Sequence, residues 1–296
     1  MNARALVLAA VLPIALDAQD TTGAKASLLA ADRAAAGSET ALAAALDPRA
    51  TVLLPGLDIL TGTRAFAPHL ADMARGADVG PGSSPMHAVV SRDGSLGCTT
   101  GLLHRLPADT TQSWTGRYAA CWRREREGTW RLLALSRVDA PFAVKALPDS
   151  LPGAPGSVGT VARRGENIAR AMTDADRAFA RFSADSGGPA GAFARWIAED
   201  GMMLGARAVP VRGPAQARTA FAGFPAAGRF EFGPIDTLTG ASRDGSLGFT
   251  IGEARIAPAP GAVSFSKYLT VWRREGDGRY RFVFDIGSER PAPGPH

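Results

Sequence analysis

The chain has 296 residues, a formal net charge of +5, 46% apolar residues and 21% charged residues. That length allows two ordinary domains, each able to bury a core without a metal or a set of disulfides. The positive charge comes mainly from arginines scattered along the chain, with lysine only at Lys25, Lys145 and Lys267, which argues against the clustered basic face of a nucleic-acid binder.

Arg4 precedes an apolar run from Ala5 to Leu16, and Asp17, Ala18 and Gln19 follow it. This is the pattern of an export signal over residues 1–18, cut after Ala18. The run is shorter than the roughly 20 residues of a spanning helix. The mature protein is therefore expected in the periplasm or outside the cell, free of the membrane after cleavage. Residues 22–46 are rich in helix formers and broken by Gly37 and Ser38, a stop and a new N-cap, so two helices are predicted. TVLLPG from Thr51 predicts a short strand, residues 62–73 a further helix, and residues 86–92 a strand.

Residues 91–101, SRDGSLGCTTG, return at 242–252 as SRDGSLGFTIG. RYAACWRREREGTWRLL from Arg117 answers KYLTVWRREGDGRYRFV from Lys267 in the same way, so the chain is a tandem repeat. Asp93-Gly94 and Asp244-Gly245 predict two-residue hairpin turns of type I′. After the second turn Leu247, Phe249 and Ile251 alternate with Gly248, Thr250 and Gly252, the mark of a sheet with one face buried. In the second copy helices are expected over residues 167–183, 190–198 and 214–221, with strands over 201–204 and from 230 onward. Residues 142–161 are rich in Pro and Gly and read as a linker. The expected domains are residues 20–141 and 162–291, both α+β, with helices first and an antiparallel sheet last.

ADRAF at 175–179, AEDGMML at 198–204, SRDGSLGFTIG and KYLTVWRREGDGRYRFVFDIGS together resemble the SnoaL-like branch of the nuclear transport factor two (NTF2) fold, in particular the domain-of-unknown-function 4440 family. The second copy resembles it over nearly its whole length, the first mainly in its sheet. The resemblance implies two tandem cone-shaped domains, each wrapping N-terminal helices in a curved sheet around a pocket. It also implies pairing of such domains, here as an intramolecular pseudo-dimer. Function does not follow, because this superfamily holds isomerases, dehydratases and binding domains.

His69, His87 and His104 lack ligand spacing, so no metal is expected, and nothing implies a cofactor. Asp285 interrupts the apolar strand FVFDIG, which invites a raised pKa. A two-residue turn at Asp277-Gly278 would put it opposite Thr270, on the face that carries Tyr268 and Trp272. Packing at a domain interface is the alternative for those three. The first copy has Leu135 at the equivalent place, so an acid site is expected in the second copy alone. Trp196, Met202 and Met203 are further candidates for a pocket lining, with plain core packing the alternative. The leading reading is a small apolar molecule bound in the second domain; acid/base catalysis by Asp285 with Tyr268 as donor, or a structural pair with filled cores, are the alternatives. A hairpin with its loop at residues 107–112 sets Cys98 opposite Cys121, a disulfide in an oxidising compartment or else two small core residues.

Overall fold

The computed structural model describes residues 21–74, 83–105, 114–140, 158–205, 207 and 209–294. The expected signal at 1–18 lies outside the described residues, as does most of the expected linker. The first repeat begins with helices α1 (Thr21–Ala35) and α2 (Glu39–Ala45). Ser38 caps α2 by accepting from the Ala41 amide, so Gly37-Ser38 acts as stop and start. Strand β1 (Leu46–Leu53), the short β2 (Leu60–Thr61) and two helical turns, α3 (Thr63–Phe66) and α4 (Leu70–Ala74), follow. Strands β3 (Ser83–Val90), β4 (Leu96–Arg105), β5 (Trp114–Arg124) and β6 (Trp130–Ala140) complete a sheet ordered β2-β1-β6-β5-β4-β3.

The second repeat runs α5 (Ile168–Phe182), α6 (Gly188–Trp196), β7 (Ile197–Met203), β8 (Val211–Arg212), α7 (Gly213–Ala220), β9 (Arg229–Pro234) and β10 (Gly240–Ala241). It ends in β11 (Leu247–Ala259), β12 (Ala262–Arg274) and β13 (Tyr280–Glu289). Its sheet is ordered β10-β11-β12-β13-β7-β8, with β9 also on β11. In each sheet the strand that follows the first helices joins the last strand in parallel, β1 on β6 and β7 on β13. The other pairings are antiparallel. The protein is thus α+β, with one sheet and its own helices in each repeat.

The repeated SRDGSLG turns differ from the expected two-residue form. Ser91 and Leu96 close a four-residue loop, as do Ser242 and Leu247, and only Gly94 and Gly245 take positive φ, 67° and 68°. The aspartate works through its side chain instead: Asp93 Oδ1 accepts from the hydroxyls of Ser91 and Ser95 and from the Ser95 amide, and Asp244 does the same between Ser242 and Ser246. The glycine after the leucine serves packing. A Cβ at Gly97 would collide with Leu28 of α1, and one at Gly248 with Met172 of α5, so each helix lies close against its sheet.

Strand alternation divides the core into layers. Leu28, Tyr118, Ala120 and Trp122 pack between the first helices and the first sheet, and Met172, Phe179, Trp272 and Phe282 between the second helices and the second sheet. A third cluster joins the opposite faces of both sheets, with Leu96, Cys98 and Cys121 from the first repeat beside Leu247, Phe249, Val271 and Ile286 from the second. Cys98 and Cys121 face each other across β4 and β5 and form a disulfide in this layer. At the corresponding point of the second sheet Phe249 faces Val271.

Polar contacts between the repeats are reciprocal. The Arg92 amide donates to Ser246 Oγ at 2.9 Å, and the Arg243 amide donates to Ser95 Oγ at 3.1 Å. Buried Arg117 donates to the carbonyls of Gly205 and Arg207 in the second repeat, and buried Lys267 at the matching place donates to that of Leu57 in the first. Burial depresses both cations, Arg117 to about 10 and Lys267 to about 8.

Candidate functional site

Tyr268, Thr270 and Trp272 alternate along β12 on the side facing the helices, and β13 sets Asp285 opposite Thr270. The register arises differently from the expectation. Glu275 and Arg279 close a three-residue loop, and a bulge after Val271 restores the pairing of Thr270 with Asp285. The Thr270 hydroxyl donates to Asp285 Oδ1 at 2.7 Å.

Sequence reasoning did not single out the centre of the site, Asp176 on α5. It is 1% exposed and accepts from Thr250 Oγ1 at 2.6 Å and from the Tyr268 hydroxyl at 3.2 and 3.3 Å. The Trp272 indole donates in turn to Thr250 Oγ1 at 2.8 Å. Burial pushes the Asp176 carboxyl up to about 7, against the lowering effect of Thr250 and Tyr268; the charge of Asp285 adds to the rise. Burial also raises Asp285, to about 6, with the Thr270 hydrogen bond opposing. Tyr268 is raised well above 10 by burial and by Asp176, so it remains a donor throughout the physiological range.

Asp176, Tyr268, Thr270, Trp272 and Asp285 line a narrow inner pocket with Phe179 and Phe282. Asp285 and Tyr268 also line a wider cleft of ≈ 450 Å³, together with Phe193, Phe221, Phe230 and Phe232. Pro55, Val138 and Asp139 of the first repeat form part of its wall. Asp285, half-buried, thus stands where the inner pocket meets the cleft.

The first repeat carries the same polar network. Tyr118 donates to Asp32 Oδ2 at 2.9 Å, Thr99 also bonds Asp32, and Trp122 donates to Thr99 Oγ1 at 3.2 Å. Burial raises Asp32 to about 6. At the place of Thr270 and Asp285, however, it has Ala120 facing Leu135, and its inner pocket, ≈ 50 Å³ against ≈ 10 Å³ in the second repeat, has Leu135 where the second has a carboxyl. The triplet Ala-Asp-Arg at 31–33 and 175–177 was the available signal for Asp32 and Asp176.

Two expected lining residues lie elsewhere. Met202 is fully buried between the two sheets, because β7 alternates and turns Met203 toward the cleft instead. Trp196 closes α6 and packs on Phe179 and Phe182, with Arg195 over its ring; it lines an outer groove with Arg279 and Arg281. No group of metal-ligating side chains is found among the described residues, and no described helix is long and apolar enough to cross a membrane.

No protein-family model matches the chain, and no curated sequence does. Solved structures similar to it are NTF2-like and ketosteroid isomerase-like proteins. One is a putative ketosteroid isomerase from Parabacteroides distasonis, 17% identical over 44% of this chain and 95% of its own, with a TM-score of 0.34. A second is an NTF2-like protein with a cystatin-like fold from Novosphingobium aromaticivorans, 17% identical over 40% and 80%, TM-score 0.33. A third is nuclear transport factor 2 from Cryptosporidium parvum, 13% identical over 41% and 94%, TM-score 0.33.

Proposed function

We propose that the second repeat is an acid/base site of isomerase type acting on an apolar small molecule. The observation that carries this reading is the position of Asp285: a carboxyl raised to about 6 at the head of an aromatic cleft, beside a tyrosine held by a second raised carboxyl. Near neutral pH Asp285 is largely ionised and can take a proton from a carbon next to a carbonyl. The electron pair moves to the carbonyl oxygen, which accepts a hydrogen bond from Tyr268. Neutral Asp176 leaves Tyr268 free to donate to that oxygen; ionised Asp176 competes for the same proton. Returning the proton to the γ carbon completes the isomerisation without an oxidant or reductant. The cleft volume suits such a ligand, since small-molecule sites span roughly 300–1,000 Å³.

The test is conversion of a bicyclic β,γ-unsaturated ketone to its conjugated isomer, followed by ultraviolet absorbance. The expected pH profile is a bell whose two limbs belong to the coupled pair and fall near 6 and 7. No conversion above buffer, or equal conversion by Asp285→Asn, would contradict it. Binding without turnover is the second reading, favoured by recurrence of the Asp-Tyr-Thr-Trp network in the first repeat, where it ties helix to sheet without a second carboxyl.

We further propose that the repeats, residues 20–141 and 162–291, form an intramolecular pseudo-dimer, supported by their reciprocal hydrogen bonds and common apolar layer. Solution scattering from two separated lobes would refute it. Export to the periplasm or medium is proposed from residues 1–18, and the intact mass of the exported protein tests cleavage after Ala18.

A further inference from the structure

The polar character of the cleft narrows its ligand. The chain carries a net charge of +5, yet among the described residues no lysine or arginine lines this cleft; the charged groups that do are the carboxylates of Asp139, Asp285 and Glu289. Its hydroxyls come from Ser266 and Tyr268. Asp139 and Glu289 occupy equivalent places at the ends of β6 and β13, so the packing of one repeat on the other brings both to the same cleft. No described residue pairs with the Glu289 carboxylate. Asp139 lies 3.4 Å from Arg137, and Arg290 next to Glu289 is engaged by Asp58 and Glu253. Below this acidic rim the walls are the rings of Phe193, Phe221, Phe230, Phe232 and Tyr268.

We infer that the ligand of this cleft is an amphipathic amine, with its ammonium group at the rim between Asp139 and Glu289 and its apolar body against the phenylalanines. This rests on the proposal that the cleft binds an apolar small molecule. An ammonium supplies only donors, and the carboxylates supply acceptors. Ring faces attract a cation as well as its hydrocarbon body. An anionic ligand would meet three carboxylates, with no basic group in the wall among the described residues.

Three probes of one shape separate the possibilities: naphthylethylamine, naphthylethanol and naphthylacetate, titrated calorimetrically into the full chain at neutral pH. The amine is expected to bind about tenfold or more tightly than the alcohol, and the acetate most weakly. Glu289→Gln should reduce the amine's advantage at least threefold. Asp139→Asn should reduce it less, because Arg137 already neutralises part of that charge. Both side chains are exposed, so neither variant threatens the fold. Equal binding of amine and alcohol, or an advantage unchanged by both substitutions, overturns the amine assignment and leaves the apolar site standing. Failure of all three probes to bind overturns the site as well.

Discussion

The two repeats use one network for two ends. In the first, Asp32, Tyr118, Thr99 and Trp122 tie the opening helix to the sheet, and the neighbouring strand pair is Ala120 facing Leu135. In the second, Asp176, Tyr268, Thr250 and Trp272 do the same, but the neighbouring pair is Thr270 facing Asp285. A single buried aspartate bonded to a tyrosine is therefore part of the architecture and does not by itself mark a site. Among the described residues, what separates the repeats is the second carboxyl and the cleft onto which it opens.

The largest expected effect comes from giving the second repeat the first repeat's residue. Asp285→Leu should lower turnover of the β,γ-unsaturated ketone at least about a hundredfold. Its melting temperature should stay close to or above that of wild type, because a half-buried carboxyl has been removed. The reverse change, Leu135→Asp, buries a carboxyl opposite Ala120 with no hydroxyl to meet it, and should cost about 1–3 kcal/mol. Turnover retained by Asp285→Leu would erase the distinction between the repeats.

The next effect is on stability against pH. The native pKa of Asp176, about 7, lies above its unfolded value near 3.8, so the folded state binds this proton more tightly. The contribution is full below the unfolded value and is lost as pH rises through about 7; Asp32 and Asp285 act in the same direction up to about 6. Asp176→Asn keeps the neutral form permanently. Relative to wild type it should gain on the order of 3 kcal/mol between about pH 4 and about pH 8, read from urea unfolding. Equal pH slopes in both proteins would contradict the buried neutral carboxyl.

The disulfide sharpens the comparison from the other side, since only the first repeat has one. Reducing it, or replacing Cys98 and Cys121 with alanine, should destabilise the first repeat by about 3 kcal/mol, seen as loss of protection from hydrogen exchange in β4 and β5. Ketone turnover should remain. The smallest effect is that of paired hydroxyl deletions. Tyr118→Phe and Tyr268→Phe should each cost about 1 kcal/mol of stability, while only Tyr268→Phe should slow turnover.

Much of the sheet was legible because antiparallel pairing is arithmetic. Once the repeats fixed the hairpins, Cys98 fell opposite Cys121 and Asp285 opposite Thr270. The second of these rested on a turn one residue too short, offset by a bulge that no sequence pattern announces. Asp176 was missed because it is a helix residue in a polar triplet, and its burial depends on how closely Gly248 lets α5 approach the sheet. Met202 and Met203 were both candidates because the sequence MM does not say which faces the cleft; adjacent strand residues face opposite sides, and only Met203 does. The identity of the two SRDGSLG copies also gains a reason: each turn donates to a serine of the other, so both must present the same groups.

The most direct test is a carbon-13 NMR titration of the aspartate carboxyl groups, run alone and with the conjugated ketone at saturation. We expect raised titrations for Asp32, Asp176 and Asp285, with the ligand moving those of Asp176 and Asp285 and leaving Asp32 unchanged. A ligand response at Asp32, or none at Asp285, would contradict a proton-transfer site confined to the second repeat.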